Sequence, residues 1–285
     1  MGLNDLTLRA SGWEATLWPE IGGSLASLTF KGIEVLRTMP EGSTDPLDAA
    51  CFPLVPYCNR IRDGRFAWDG LTVQMPTNFA PEPHSLHGLG WQAPWTVTAE
   101  AGFKCSLSHR YDGSGAWPWA YRAEQRVRLG AQGCAITLDV TNRGDTPMPC
   151  GLGLHPYFRR RPETRVSFAA TATLEVGDDM IPTGALSPPD RFTNWPDGAL
   201  LPTQTVDHCF TGWPGTAEIA DDLGTITLEA RGATFLHLYA PADASALCLE
   251  PVTHSPDALN RAPQEMIVLP PRCTGSLTLR ISAAR

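Results

Sequence analysis

The chain has 285 residues, 42% hydrophobic and 18% charged, with a formal net charge of -8. That acidic balance argues against nucleic acid or an anionic membrane surface as partner, since both need a basic face, and no apolar stretch approaches the roughly 18 residues of a membrane span. The 26 glycines and 26 prolines are spread along the chain and favour many short strands joined by turns over long helices.

Period-two alternation dominates. Segments 25–30 and 33–37 flank Lys31-Gly32, and 64–68 and 71–75 flank Asp69-Gly70, so both pairs read as β-hairpins. Further strands are predicted at 121–129, 134–141, 148–155, 165–168, 172–176, 217–220, 225–230, 235–239, 246–250, 265–269 and 275–281. No long run keeps a 3.6 period, so helices should be few, with one turn at 257–260. No repeat, low-complexity tract or linker divides the chain, and a single domain over 1–285 is the simplest organisation. The fold class is all-β: one large antiparallel β-sandwich, two twisted sheets packed face to face with loops gathered along a concave rim. The eight cysteines show no C-x-x-C spacing and several sit in apolar runs as small hydrophobes. With no secretory pattern at the N-terminus, these features read as a reduced, cytoplasmic protein.

Several familiar motifs fail. Gly88-Leu-Gly90-Trp-Gln-Ala93 has the letters of a dinucleotide fingerprint, but Pro94 and Trp95 follow where a helix should start. There is no G-x-S-x-G elbow and no phosphate-binding P-loop, and His84-x-x-His87 lacks a third ligand, so no metal is expected.

What remains is a set of polar residues on apolar or proline-fixed segments. In Pro53-Leu-Val-Pro-Tyr-Cys-Asn59-Arg60-Ile61 an amide stands beside a five-donor guanidinium suited to hydroxyl or carboxylate oxygens; a salt bridge to Asp63 is the competing role. His84-Ser-Leu-His87-Gly88-Leu-Gly90-Trp91 brings an imidazole near an indole that can cover a sugar ring face. Trp117-Pro-Trp119 fits either a sugar platform or packing over a sheet edge. Gly151-Leu-Gly-Leu-His155-Pro puts a group that titrates near neutrality at the mouth of an apolar strand. Arg159-Arg160-Arg161 is either a solvated charge run or an anion site for a phosphorylated substrate. Asp207 in Val206-Asp-His-Cys-Phe210 can accept from vicinal hydroxyls or cap a strand end, and Ala246-Leu-Cys-Leu-Glu250-Pro ends a second apolar strand in a carboxylate that could pair with His155.

Taken in order, P-Y-C-Asn59-Arg60-I, H-S-L-His87-G-L-G-Trp91, L-His155-P-Y-F, Asp207-H-C-F and C-L-Glu250-P, then Pro256 and Asn260, resemble the aldose 1-epimerase (galactose mutarotase) family from about residue 5 to 280. The resemblance implies a β-supersandwich, Glu250 as catalytic base, His155 as catalytic acid, and Arg60, His87 and Asp207 as substrate-holding residues, joined by Asn59 and Trp91 from the reading above. Leu154 stands where characterised galactose mutarotases carry asparagine, and His208 where a second carboxylate often stands, which is closer to a less characterised bacterial branch. The implied reaction is interconversion of α and β anomers of an aldose by ring opening and reclosure, without a cofactor. The partner would be a small monosaccharide, and assembly as a homodimer stays open. Two alternatives remain: a hexose-6-phosphate 1-epimerase, which requires Arg159 to Arg161 to face the pocket, and a non-catalytic carbohydrate-binding protein of the same fold.

Overall fold

A computed structural model describes residues 5–284. In the central strands, where the sequence alternates, one face is dry. Along Tyr121–Gly130 the residues Ala123, Val127 and Leu129 are buried; Gly133–Asn142 and Thr274–Ala284 pair beside it with Val127 opposite Ile136 and Ile136 opposite Leu279. Matched apolar pairs on one face are the unit of sheet stability, and burying each such side chain contributes roughly 1.5–3 kcal/mol.

Two large antiparallel sheets result, with three two-stranded ones beside them among the described residues. The larger has eleven strands, ordered Leu6–Ala10, Trp13–Trp18, Ser24–Phe30, Cys51–Leu54, Gly153–Pro156, Cys248–Val252, Phe235–Ala240, Val206–Thr211, Ala172–Val176 and Pro182–Ser187, with Ile33–Leu36 on the flank of Ser24–Phe30. The smaller has nine and runs from Thr96–Ala101 through Tyr121–Gly130 and Thr274–Ala284 to Ala199–Leu200. Their facing sides share one apolar core that includes Leu154, Leu249, Leu236 and Leu238 from the larger sheet and Leu138, Leu277 and Ile226 from the smaller. Polar ties cross the layers: Gln125 Nε2 donates to the Gly23 carbonyl at 2.7 Å, and Arg159 grips Asp221 with Nε and Nη2 while Nη1 donates to the Glu34 carbonyl.

Both predicted hairpins form, and 165–168 and 172–176 match the observed strands. The single strand expected over 148–155 is two. Met148–Cys150 pairs with Ile267–Leu269, and the chain then changes partners at Gly151 so that Gly153–Pro156 enters the middle of the larger sheet. Gly151 permits that crossing because a Cβ there would stand 2.1 Å from Nε2 of His254. Strands Leu6–Ala10, Trp13–Trp18, Cys51–Leu54, Thr96–Ala101, Lys104–Tyr111 and Pro182–Ser187 go beyond the sequence reading. Cys51–Leu54 is buried on both faces and carries Pro53, so it shows neither alternation nor a free set of donors. The expected helical turn is Ala258–Arg261. Seven of the eight cysteines are buried free thiols, and Cys273 is exposed.

The loop bearing Asn59 and the loop bearing His87 are bound to each other through Val55, whose carbonyl accepts from Leu89 N (2.8 Å) and Gly90 N (3.0 Å). Gly88 has φ +77°, and a Cβ on it would meet the Val55 oxygen at 2.2 Å. Gly88→Ala should therefore lower the free energy of unfolding by at least about 1–3 kcal/mol in urea titration, clearly more than Gly70→Ala, where φ is +78° and no atom lies within 4 Å.

Candidate active site

The strands at the centre of the larger sheet carry a second pattern on the face turned away from the core. Leu154, Leu249, Leu236, Leu238, Val206 and Phe210 point into the core, so His155, Glu250, His237 and Asp207, at the alternate positions, share the opposite face. Register aligns them: His237 is directly opposite Glu250, Asp207 opposite Tyr239, and Gly153 opposite Val252, which sets His155 beside the Glu250 strand. They line a cavity of about 380 Å³, together with Asn59, Arg60, His87, Arg37 and Tyr157. The site therefore rests on strands, and the loop rim anticipated from the sequence supplies only its upper wall.

His155 Nε2 lies 3.3 Å from Glu250 Oε1, with Glu250 only 2% exposed. Burial pushes the Glu250 carboxyl up to about 8; His237 and Arg60 pull it down and Asp207 pushes it further up. Burial drives His155 the other way, to about 3, assisted by the charges of His237 and Arg37. Desolvation is the largest cause of both shifts and favours the uncharged form of each group, a carboxylic acid beside a neutral imidazole with one proton between them.

A second acid/base pair, in which charge is favoured, sits one strand over. His237 Nε2 and Asp207 Oδ1 are 2.6 Å apart. Burial disfavours charge on both, but their hydrogen bond and attraction prevail: His237 is raised above its ordinary value and Asp207 is lowered below its own, helped by Arg60. Arg60 Nη2 lies 3.2 Å from Glu82 Oε2 and 3.9 Å from Asp207 Oδ2, and its Nη1 donates to Asn59 Oδ1 at 3.3 Å. Asp63, the local partner considered for Arg60, turns away and meets His84 instead.

Two loop residues in left-handed backbone complete the upper wall. Asn59 (φ 55°) and His87 (φ 59°) are held together by Asn59 N donating to His87 Nδ1 at 3.1 Å. Burial, with His155 and Arg60 nearby, keeps His87 neutral by lowering its pKa well below the usual imidazole value. Since Nδ1 accepts, the single ring proton of neutral His87 is on Nε2, and the residue faces the cavity as a donor. Asp257 fixes the segment after Asn59: its amide donates to the Arg60 carbonyl (2.8 Å), and its Oδ1 accepts from Arg62 N (2.9 Å) and Asn260 Nδ2 (2.7 Å). His254 fixes the segment before, accepting from Cys58 N at 3.0 Å.

Of the residues singled out in the sequence, Asn59, Arg60, His87, His155, Asp207 and Glu250 line this one cavity. Trp91 does not. It is 1% exposed, stacks on Phe52 at 5.6 Å and donates to the Leu86 carbonyl, so it braces the wall from behind and cannot cover a sugar face. Trp117 and Trp119 are core residues packed on Phe66. Arg159, Arg160 and Arg161 are consumed by Asp221, by the Pro241 and Ala246 carbonyls, and by Glu163 and Asp222, and none lines the cavity. Sequence reading missed His237, Arg37, Tyr157 and Tyr239. The signal for His237 was present: a histidine in Phe-Leu-His-Leu-Tyr shares its phase with Phe235 and Tyr239 and opposes the core-facing leucines.

The chain as a whole is similar to known proteins. A family model for aldose 1-epimerase matches residues 5–282. The uncharacterised Escherichia coli (strain K12) protein YphB is 32% identical over 247 residues, covering 82% of this chain and 84% of its own length. A candidate aldose 1-epimerase of Escherichia coli K12, known from its crystal structure, superposes with a TM-score of 0.90 at 28% identity, covering 99% of this chain and 100% of that one. A galactose mutarotase-like protein of Clostridium acetobutylicum shares the fold at TM-score 0.86 and 20% identity, over 98% of this chain and 94% of its own. With the family model spanning nearly its whole length, the chain belongs to the aldose 1-epimerase family.

Proposed function

We propose that this protein is an aldose 1-epimerase that interconverts α and β anomers by acid/base ring opening, with Glu250 and His155 as the proton-transfer pair. The supporting observation is the 3.3 Å approach of His155 Nε2 to Glu250 Oε1 inside a hexose-sized cavity. In a pyranose the anomeric hydroxyl and the ring oxygen share one carbon. An acid and a base that serve them must therefore occupy neighbouring points, each within hydrogen-bond reach of its own oxygen.

Carboxylate Glu250 takes the anomeric hydroxyl proton while protonated His155 gives one to the ring oxygen. The C1 to ring-oxygen bond breaks as the C1 carbonyl forms; rotation about C1–C2 presents the other carbonyl face, and the reverse transfers close the opposite anomer. No electrons leave the sugar. The reactive arrangement carries the same single proton as the resting one and differs only in which partner holds it. Burial makes the ionised arrangement the costlier of the two but strengthens each group in its role once it forms: a carboxylate with a raised pKa is a stronger base, and an imidazolium with a lowered one is a stronger acid. Neutral His87 as donor and Arg60 as fixed cation offer hydrogen bonds to oxygens where negative charge develops, and ionised Asp207 accepts from ring hydroxyls. The hexose 6-phosphate reading that depended on Arg159 to Arg161 loses its basis, because those side chains are engaged elsewhere.

Glu250→Gln should cut kcat for anomer exchange by about 10²–10⁴ while the chain stays folded. The linkage sign makes stability informative as well. The folded-state pKa of Glu250 exceeds its unfolded value, so the contribution of Glu250 to wild-type stability falls as pH rises from about 4.5 to about 8. Over that window Glu250→Gln should become progressively more stable than wild type in thermal melts; a variant uniformly less stable at every pH would contradict the assignment.

The rate should be flat where the pair holds its one proton and fall as pH climbs through about 8, where that proton leaves. NMR exchange spectroscopy of the anomeric protons across pH 5–10 measures this directly. Activity that keeps rising through that range would exclude a one-proton pair.

A further inference from the structure

His237 takes no part in the proton transfers described above, yet it stands in the middle of the polar face. Its strand, Phe235–Ala240, runs between Val206–Thr211 and Cys248–Val252. Leu236 and Leu238 enter the core, so the imidazole between them is turned to the cavity, which it lines. On one side Asp207 Oδ1 lies 2.6 Å from its Nε2; on the other, Glu250 is its directly opposite residue. Opposite residues of antiparallel strands share a face with Cβ atoms about 5 Å apart, so the ring separates two carboxyl groups.

The surroundings decide which form the ring takes. Asp207 is in hydrogen-bond contact, and Nδ1 has no partner among the described residues, so Asp207 alone orients the imidazole by hydrogen bonding. Cys209, opposite His237 on the Asp207 strand, presents a thiol that burial keeps protonated. The loops bring Arg60, 3.9 Å from Asp207 Oδ2, and neutral His87; the strand beyond Glu250 brings His155. Burial is the largest cause acting on His237 and disfavours its charge, as does Arg60, but the Asp207 hydrogen bond and the charges of Glu250 and Asp207 prevail. The influence also runs outward. After burial, the His237 charge is the foremost cause that lowers His155, and it draws the Glu250 carboxyl down against burial and Asp207. A cation beside both partners therefore eases loss of the proton they share.

We propose that His237 is a positioning residue: as the cation between Asp207 and Glu250, it holds the Asp207 carboxylate in the cavity and sets the pH at which the Glu250–His155 pair gives up its proton. Its bearing on catalysis rests on the mutarotase reading, whereas the coupling of His237 to Glu250 belongs to the resting protein. That coupling is reciprocal. Whatever His237 does to the ionisation of Glu250, Glu250 does to the protonation of His237 by the same factor.

The test is an NMR titration of the Glu250 carboxyl carbon and the His237 imidazole in wild type, His237→Gln and Glu250→Gln, with anomeric exchange followed over the same pH range. Glutamine keeps an N–H donor for Asp207 and removes the charge. In His237→Gln the Glu250 midpoint should rise from its wild-type position near 8, its acid dissociation constant falling about 3- to 10-fold, and the alkaline limb of the exchange rate should move up with it. In Glu250→Gln the His237 midpoint should fall by a like factor. A residue that merely packs would depress rate or stability at every pH and leave both midpoints in place, so unmoved midpoints in folded variants would overturn the proposal. Should His237→Gln fail to fold, the His237 midpoint in Glu250→Gln decides alone. Reciprocal shifts in a protein that leaves anomeric exchange at its spontaneous rate would sustain the coupling and refute the mutarotase reading; fast exchange with both midpoints unmoved would do the opposite.

Discussion

The chemistry of this cavity depends on desolvation of a carboxyl and an imidazole placed 3.3 Å apart. In water such a pair would ionise toward a salt bridge. Here both side chains are removed from solvent by sheet packing on one side and by the loops of Asn59 and His87 on the other, and that desolvation favours the uncharged form of each. One proton is therefore shared by two groups of displaced and opposite strength. A reversible reaction that must move one proton off a hydroxyl and another onto the adjacent ring oxygen suits such a pair, because proton count does not change between the resting and reactive forms.

Around the neutral pair, charge is kept at fixed stations. Asp207 and His237 neutralise each other across 2.6 Å, and Arg60 is matched by Glu82 and Asp207. These groups are oriented by backbone contacts from distant parts of the chain: Asp257 holds Arg60 and His254 holds Cys58. Arg37 is the departure from this economy of matched charges, and its place against Tyr157, in the stack with His155 and Phe52, ties it to the same aromatic column that positions the His155 imidazole.

The reading from sequence succeeded and failed for identifiable reasons. Segments 165–168 and 172–176, and the two hairpins, alternate cleanly and carry turn residues whose backbone needs are local, so they were legible. Cys51–Leu54 was not, since a strand dry on both faces has no alternation to detect. Trp91 was assigned to a sugar face on the strength of an aromatic beside a histidine, but nothing local distinguishes an indole that lines a cavity from one that braces its wall. His237 sat unnoticed in an ordinary strand pattern because its meaning comes from two other strands, those of Asp207 and Glu250, that flank it in the sheet.

From the amino-acid order alone followed the all-β class, the absence of long helices, the polar residue set and the family likeness, all of which depend on short-range periodicity and on which side chains are present. Tertiary structure alone decided that residues from Asn59 to Glu250 meet in one cavity, that Arg159 to Arg161 are spent on partners elsewhere, and that the central pair rests uncharged. Those outcomes depend on strand register and on exclusion of water, which arise only when segments far apart in the chain are packed against one another.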